Sequence, residues 1–132
     1  VLGRADTKML TIFKAVTPVF PVASVAAAIA HYQDVLGFDV AWRWGNPVVV
    51  AAVCRDGIEI MFDETAPDKI RPGQIYVTMT GLDDYLAGIV ARGARVIYPI
   101  ADRPYGMRDV RIADPDGNEI SFGEPITAEP GP

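Results

Sequence analysis

The residues of this chain that could carry out chemistry are few and widely spaced. Its 132 residues include one histidine, His31, and one cysteine, Cys54. A catalytic divalent metal needs about three protein ligands from imidazole, carboxylate or thiolate groups, and a hydroxyl nucleophile needs a base beside it. The sequence therefore predicts no catalytic residue. Cys54 stands in a strand-like run, and we expect it to fill space in the core.

Carboxylates and one arginine are the remaining charged candidates. Glu59 and Glu119 lie in two similar strand segments, where two carboxylates could attract a cation or bind Mg²⁺ or Ca²⁺. Arg111 suits a carboxylate or phosphate group on a ligand. Asp109 lies two residues earlier on the same strand face. The two side chains either form a structural ion pair or leave Arg111 to hold a polar ligand group, and we expect Asp109 to neutralise Arg111.

Aromatic side chains offer a different chemistry, which is stacking. Trp42 and Trp44 are two residues apart and so share one face of a strand. They form either a core patch, because Phe38 and Val40 continue the same stripe, or a stacking platform near a rim, because a turn follows at residues 45–47. Further rings and a flexible thioether stand on other predicted strands: Tyr76, Tyr105 and Met61.

An internal repeat positions these residues. The segment Asp56–Phe62 matches Asp116–Phe122 at five of seven positions, sixty residues apart. Each half of the chain reads as a strand, a helix and three further strands. In the first half, strands are predicted at 14–22, 38–44, 48–55 and 58–63, and a helix from Ser24 to Gly37. A linker follows at 64–73. In the second half, strands are predicted at 74–80, 95–99, 107–113 and 119–123, and a helix at 82–91.

Strand alternation then assigns two faces. We expect one face to pack beneath the helices, through Ile58, Ile60, Phe62, Ile120 and Phe122. The opposite face is mixed in polarity, as the lining of a ligand pocket is. The predicted fold is therefore a single α+β domain of two βαβββ modules around a pocket, spanning 11–125 with modules at 11–64 and 74–125. Residues 1–10 are expected to be a tag or a flexible start, and 126–132 a flexible tail.

Composition limits the partners. The formal charge of −5 disfavours nucleic acids and anionic membranes. No apolar run reaches the roughly 18 residues of a membrane span, and the start of the chain does not read as a signal peptide. We therefore expect a cytoplasmic protein whose partner is a small molecule.

Two segments resemble a known superfamily. The run from His31 to Phe38 is similar to the first helix of the vicinal-oxygen-chelate superfamily, and Tyr105 to Phe122, with its Asp114–Asn118 turn, is similar to its last two strands. That superfamily includes glyoxalase I, extradiol dioxygenases, fosfomycin-resistance enzymes and bleomycin-resistance proteins. The resemblance covers 11–125 and implies a half-open barrel of two modules related by a pseudo-twofold axis, in a homodimer with pockets at or near the subunit interface.

The resemblance also locates the metal ligands that its enzymes would use. They correspond to Thr17, Met61, Gln74 and Ser121, which include no histidine and no carboxylate. Of the four, Gln74 alone could bind a metal. The expectation is therefore a protein without metal or other cofactor, of the bleomycin-resistance type, which provides antibiotic resistance by sequestering a planar or cationic ligand. The candidate ligand-binding residues are Trp42, Trp44, Glu59, Met61, Tyr76, Tyr105, Arg111, Glu119 and Ser121.

Two other functions stay open at this point. One is a metal-dependent, glyoxalase-like lyase or isomerase, or a dioxygenase, with a degenerate site or an acid–base pair such as Glu59 and Glu119. The other is a regulatory dimeric module with a vestigial pocket.

Overall fold

Strands and helices follow the predicted order in a computed structural model that describes residues 9–126. The expected flexible start and tail fall mostly outside that range. The first module comprises β1 (Val19–Val22), α1 (Val25–Asp34), β2 (Asp39–Gly45), β3 (Val48–Arg55) and β4 (Ile58–Glu64). The second comprises β5 (Gln74–Thr78), α2 (Leu82–Ala91), β6 (Arg95–Asp102), β7 (Met107–Ala113) and β8 (Glu119–Pro125), after a short 3₁₀ turn at Pro67–Lys69.

Each module forms its own four-stranded mixed sheet. The strand orders are β1-β4-β3-β2 and β5-β8-β7-β6, with the first strand of each module parallel to the last. The two sheets do not close on each other, which confirms the predicted α+β fold of two βαβββ modules in a half-open arrangement. No helix between residues 9 and 126 is long and apolar enough to cross a membrane.

The first strand is shorter than predicted. β1 begins at Val19 and not near residue 14, because Pro18 has no N–H to donate to a neighbouring strand. The first rung between β1 and β4 is the bond from the Met61 N–H to the Pro18 carbonyl, at 3.0 Å. Thr17 therefore lies just outside the sheet.

The predicted core face is confirmed. Ile60, Phe62, Ile120 and Phe122 are at most 2% exposed and belong to one cluster that includes residues of both helices. Helix α1 begins where predicted, because the Ser24 hydroxyl accepts the N–H of Ala27 at 3.1 Å. One apolar cluster therefore serves both modules.

A β-bulge interrupts the second strand of each module. In β2, Val40 pairs with Val53 but Trp42 pairs with Ala52, so Ala41 is an extra residue. Alternation reverses at such a bulge. The predicted stripe therefore breaks: Val40 packs against the core, whereas Trp42 turns to the opposite face. The alternative in which the two tryptophans form a core patch is wrong.

One buried turn joins the two modules. The Asp114 carboxylate accepts bonds from the Tyr32 hydroxyl (2.9 Å), the Asn118 side-chain amide (3.1 Å) and the N–H groups of Asp116 and Asn118 (both 2.9 Å). The same amide donates to the Pro21 carbonyl of the first module at 3.0 Å. Burial, followed by the negative charge and hydrogen bond of Asp114, raises the pKa of Tyr32 well above its usual value, so its phenol remains a donor.

We predict that Asp114→Ala lowers the free energy of unfolding by about 3 kcal/mol, because the buried donors around it lose a charged acceptor. The matched control is Asp102→Ala, whose ion pair with Arg108 is exposed to solvent and is therefore expected to contribute much less to stability. Urea unfolding monitored by circular dichroism measures both. Equal losses in the two variants would contradict the structural role of the turn.

Candidate ligand-binding site

A buried carboxylate organises the exposed face of the second module, which we call its inner face because it lies opposite the helices. Asp109 is 6% exposed. Its Oδ1 accepts the Arg103 Nε–H at 2.7 Å, and its Oδ2 accepts the hydroxyls of Tyr76 at 2.9 Å and Tyr105 at 2.6 Å. Arg103 also donates to the Pro99 carbonyl at 2.7 Å. These bonds fix one guanidinium and two phenol rings around a single anion.

A glycine explains how Tyr76 reaches this carboxylate. Asp109 pairs across the sheet with Gly123, which has no side chain. The Tyr76 phenol lies over Gly123, and a methyl group built at that position would collide with the Tyr76 hydroxyl. The absence of a side chain at position 123 therefore lets a residue of β5 bond to a residue of β7 across the strand between them.

Arg111 has different partners from those predicted. Its Nε–H donates to the Ser121 hydroxyl at 3.0 Å, and its Nη1–H donates to Glu119 Oε1 at 3.3 Å. Its guanidinium carbon lies 4.9 Å from the centre of the Tyr98 ring. The expected Asp109–Arg111 pair is wrong, because Arg111 pairs across the sheet with Ser121 and lies diagonal to Glu119.

These side chains line a cavity of about 370 Å³, which falls within the usual size range of small-molecule pockets. All three tyrosines of the lining are exposed: Tyr76 (47%), Tyr98 (56%) and Tyr105 (66%). The lining residues all come from the second module: Tyr76, Tyr98, Arg103, Tyr105, Asp109, Arg111 and Ser121.

The equivalent inner face of the first module is more apolar. Its central row, read across the sheet, is Trp42, Ala52, Met61 and Val19. The Trp42 indole N–H donates to Glu59 Oε2 at 3.3 Å. Trp44 lies one residue before the end of the strand, on the same face, and is 67% exposed. Asp63 lies on this face too, in register with Val50 and Trp44. This part of the face therefore offers two indole rings and two carboxylates.

The structure thus distributes the nine predicted residues over two faces. Tyr76, Tyr105, Arg111 and Ser121 line one cavity, and Glu119 adjoins it through Arg111. The other four lie together on the inner face of the first module: Trp42, Trp44, Glu59 and Met61.

Sequence reasoning missed two lining residues and misassigned a third. Arg103 lies in the loop between β6 and β7, where the alternation of strand side chains does not predict which way a side chain points. Tyr98 follows the second bulge, since Val96 pairs with Ile112 and Tyr98 with Arg111. The repeat could have found Tyr98, because it lies at the position of Trp42 in the second module. Asp109 was assigned to Arg111 and is instead the acceptor for Arg103 and both tyrosines.

The residues at the expected metal-ligand positions do not fit a catalytic divalent metal. Met61 offers a thioether, Ser121 is bonded to Arg111, Gln74 is exposed and Thr17 precedes β1. Among residues 9–126, no three His, Cys, Asp or Glu side chains are close enough to hold one ion. His31 lies in α1, with its ring centre 5.8 Å from that of Tyr32.

The hydrogen bonds of this cluster shift the pKa values of its members. Partial burial and the hydrogen bond to Asp109 raise the pKa of Tyr76 to about 12. The hydrogen bond to Asp109 likewise raises the pKa of Tyr105. Burial acts to raise the pKa of Asp109, but hydrogen bonds from Tyr105, Arg103 and Tyr76 outweigh it and lower that pKa overall. At neutral pH the cluster therefore holds a carboxylate and two protonated phenols.

We predict that Asp109 makes the protein more stable above about pH 4 than below it. Because the pKa of its carboxyl is lower in the folded than in the unfolded state, its contribution is complete above the usual value near 3.9 and is lost as the pH falls through the folded value. The Asp109→Asn variant should lose less stability between about pH 5 and pH 3 than the wild type. Urea unfolding at a series of pH values measures this difference, and parallel curves would contradict it.

Comparisons with known proteins agree with this architecture. A curated relative, an uncharacterised protein of Mycobacterium tuberculosis, is 26% identical over an alignment that covers 95% of this chain and 85% of the relative. The fold matches TioX from Micromonospora sp. ML1, with a TM-score of 0.74 and 18% identity over 85% of this chain and 98% of that one. It also matches a bleomycin-binding protein from bleomycin-producing Streptomyces verticillus, solved with copper(II)-bleomycin, with a TM-score of 0.70 and 21% identity over 86% and 97% of the two chains.

A family profile provides the assignment. The profile described as "Glyoxalase superfamily protein" matches residues 3–129, which is nearly the whole chain. The sequence match and the two βαβββ modules agree with each other, and with the resemblance seen in the helix and turn motifs. The chain belongs to the glyoxalase superfamily, in which structural neighbours are described as glyoxalase, bleomycin-resistance and dioxygenase proteins.

Proposed function

We propose that this protein binds a small molecule and sequesters it without transforming it, in the manner of a bleomycin-resistance protein. The observation that supports this most is the Asp109 cluster, in which every ionisable group already has a partner. Arg103 and the two phenols donate hydrogen bonds to the Asp109 carboxylate. Arg111 donates to Glu119. Such a cluster provides rigid walls for a ligand and leaves its acid and base groups engaged.

The same cluster argues against acid–base catalysis. A general base works best when its pKa lies near the working pH. Asp109 has a lowered pKa and Tyr76 a pKa of about 12, so neither shuttles a proton readily near pH 7. Glu119 forms an ion pair with Arg111. It is therefore not free to act with Glu59 as the acid–base pair that the sequence left open.

The charge balance favours a planar ligand that is neutral or cationic. The charges of Arg103 and Asp109 cancel on the inner face of the second module, and so do those of Arg111 and Glu119. Glu59 remains on the inner face of the first module, beside the indole of Trp42. A cation over an aromatic ring gains about 0.5 to 2 kcal/mol, and a nearby carboxylate adds attraction before desolvation is subtracted.

We further propose that the protein is a homodimer whose second copy completes each pocket. All residues lining the cavity come from one module, and large aromatic groups stay exposed on both inner faces. Exposed apolar patches of this kind mark surfaces that bind a ligand or a partner. In a two-fold dimer each open face can be covered by the opposite module of the partner.

We predict that a planar cation binds and quenches the intrinsic tryptophan fluorescence, because both tryptophans of the chain lie on one inner face. The probes are ethidium and copper(II)-bleomycin, with fluorescein as a planar anion. Glu59→Gln should weaken ethidium binding about tenfold, since it removes the carboxylate that lies beside the Trp42 indole. Glu119→Gln should also weaken it, because it releases the positive charge of Arg111.

The control is Asp68→Asn, on the surface 3₁₀ turn, which should leave the dissociation constant unchanged within about twofold. Arg111→Gln should not weaken ethidium binding. If Arg111→Gln alone weakens binding, or if fluorescein binds more tightly than ethidium, the proposed ligand charge is wrong.

We also predict that the purified protein contains no stoichiometric transition metal, because Met61, Ser121, Gln74 and Thr17 are poor ligands for one. Elemental analysis should give less than about 0.1 Zn, Ni, Mn or Fe per chain. One tightly bound ion per chain would contradict this and would favour an enzyme.

A further inference from the structure

The two inner faces carry opposite charges at one pair of positions that the internal repeat makes equivalent. Trp42 and Tyr98 occupy the same place in their modules, each just after the bulge of the second strand. They are 56 residues apart, and at the same spacing Asp39, at the start of β2, corresponds to Arg95, at the start of β6. One module therefore has a carboxylate where the other has a guanidinium.

Strand register places both of these side chains on the inner faces. Asp39 lies in one row of the first sheet with Glu59, and Arg95 lies in one row of the second sheet with Glu119. Residues of one row point to the same side of their sheet. Asp39 and Arg95 are both exposed, so each can meet a ligand.

The charged groups of the first inner face are all acidic. The carboxylates of Asp39, Glu59 and Asp63 lie on it, and its strand positions between Val19 and Glu64 include no lysine or arginine. Attraction between such carboxylates and a cation strengthens as water is excluded from between them. This face therefore favours the positive end of a ligand.

The second inner face has an excess of one positive charge. Arg103 is paired with Asp109, and Arg111 is paired with Glu119. Among residues 9–126, no carboxylate lies within ion-pair distance of the Arg95 guanidinium. A guanidinium matches the planar, two-oxygen shape of a carboxylate. This face therefore favours the negative end of a ligand.

We infer that the ligand of this protein is a planar zwitterion, with an ammonium group at one end of an aromatic ring system and a carboxylate at the other. The ammonium group binds the acidic inner face, beside Asp39 and Glu59, and the carboxylate binds Arg95 across the pocket. Such a ligand has no net charge, as the charge balance of the proposed function requires. The inference rests on that function, including the dimer that brings one inner face of each kind together.

Three probes that share a naphthalene ring test this ligand class. They are 6-(aminomethyl)-2-naphthoic acid, which is a zwitterion at neutral pH, 2-(aminomethyl)naphthalene, which is a cation, and 2-naphthoic acid, which is an anion. Isothermal titration calorimetry measures the dissociation constant of each. The zwitterion should bind about tenfold more tightly than the cation, and the anion should bind most weakly, because only the zwitterion complements both faces.

Variants of the charged residues locate the two ends of the ligand. Arg95→Gln should weaken binding of the zwitterion about tenfold and change that of the cation by less than about twofold. Arg95→Lys keeps the charge and should retain most of the affinity. Glu59→Gln should weaken binding of the zwitterion and of the cation alike. The matched control is Arg43→Gln, which removes an exposed guanidinium from the opposite face of the first sheet, where Arg43 pairs with the buried Ala51.

The outcomes separate this inference from the proposed function. A zwitterion that binds no more tightly than the cation overturns the inference, and so do equal effects of Arg95→Gln and Arg43→Gln on its binding. If none of the three naphthalenes binds but ethidium does, the inference is overturned and the proposed function stands. If ethidium and copper(II)-bleomycin also fail to bind, both are overturned.

Discussion

One helix can cover only one face of a four-stranded sheet, and the rest of this structure follows from that constraint. Each module has a single ten-residue helix, and the strand side chains beneath it form the common core. Within residues 9–126, no helix covers the opposite face of either sheet. Polar groups and rings are tolerated there because water or a ligand can reach them, and this is where the candidate site lies.

Two carboxylates, both nearly fully buried, serve different purposes within this frame. Asp114 is surrounded by donors from its own turn and from Tyr32, and so joins the modules. Asp109 is surrounded by donors from β5 and from the loop between β6 and β7, and so positions side chains around a cavity. A buried charge is stable only when donors surround it, and in each case the source of the donors determines what the carboxylate organises.

The sequence was most informative where the period-two pattern and the repeat agreed. The core positions Ile60, Phe62, Ile120 and Phe122 and the order of elements could be predicted because burial and hairpin turns leave a local signal. The partners of Arg111 could not, because they depend on which residue lies across the sheet, and sequence spacing favoured Asp109. The orientation of Trp42 depended on one inserted residue, Ala41, which carries no signature of its own.

Loop residues set another limit. Arg103 lies between two strands, and its role depends on how the chain folds back toward Asp109. Gly123 looks like an ordinary strand residue until the ring of Tyr76 is seen above it. Contacts of this kind join segments that are distant along the chain, so a single sequence does not specify them.

The matching bulges at Ala41 and Ile97 have a historical consequence. An irregularity present at the same place in both halves indicates that the ancestral module already carried it before the chain was duplicated. Two identical modules would have had identical inner faces, and a ligand between them could have bound in either of two opposite orientations. The two inner faces now differ. The first has the indole of Trp42 and the thioether of Met61 where the second has the phenol of Tyr98 and the hydroxyl of Ser121. A ligand held between one face of each kind would therefore have a single preferred orientation.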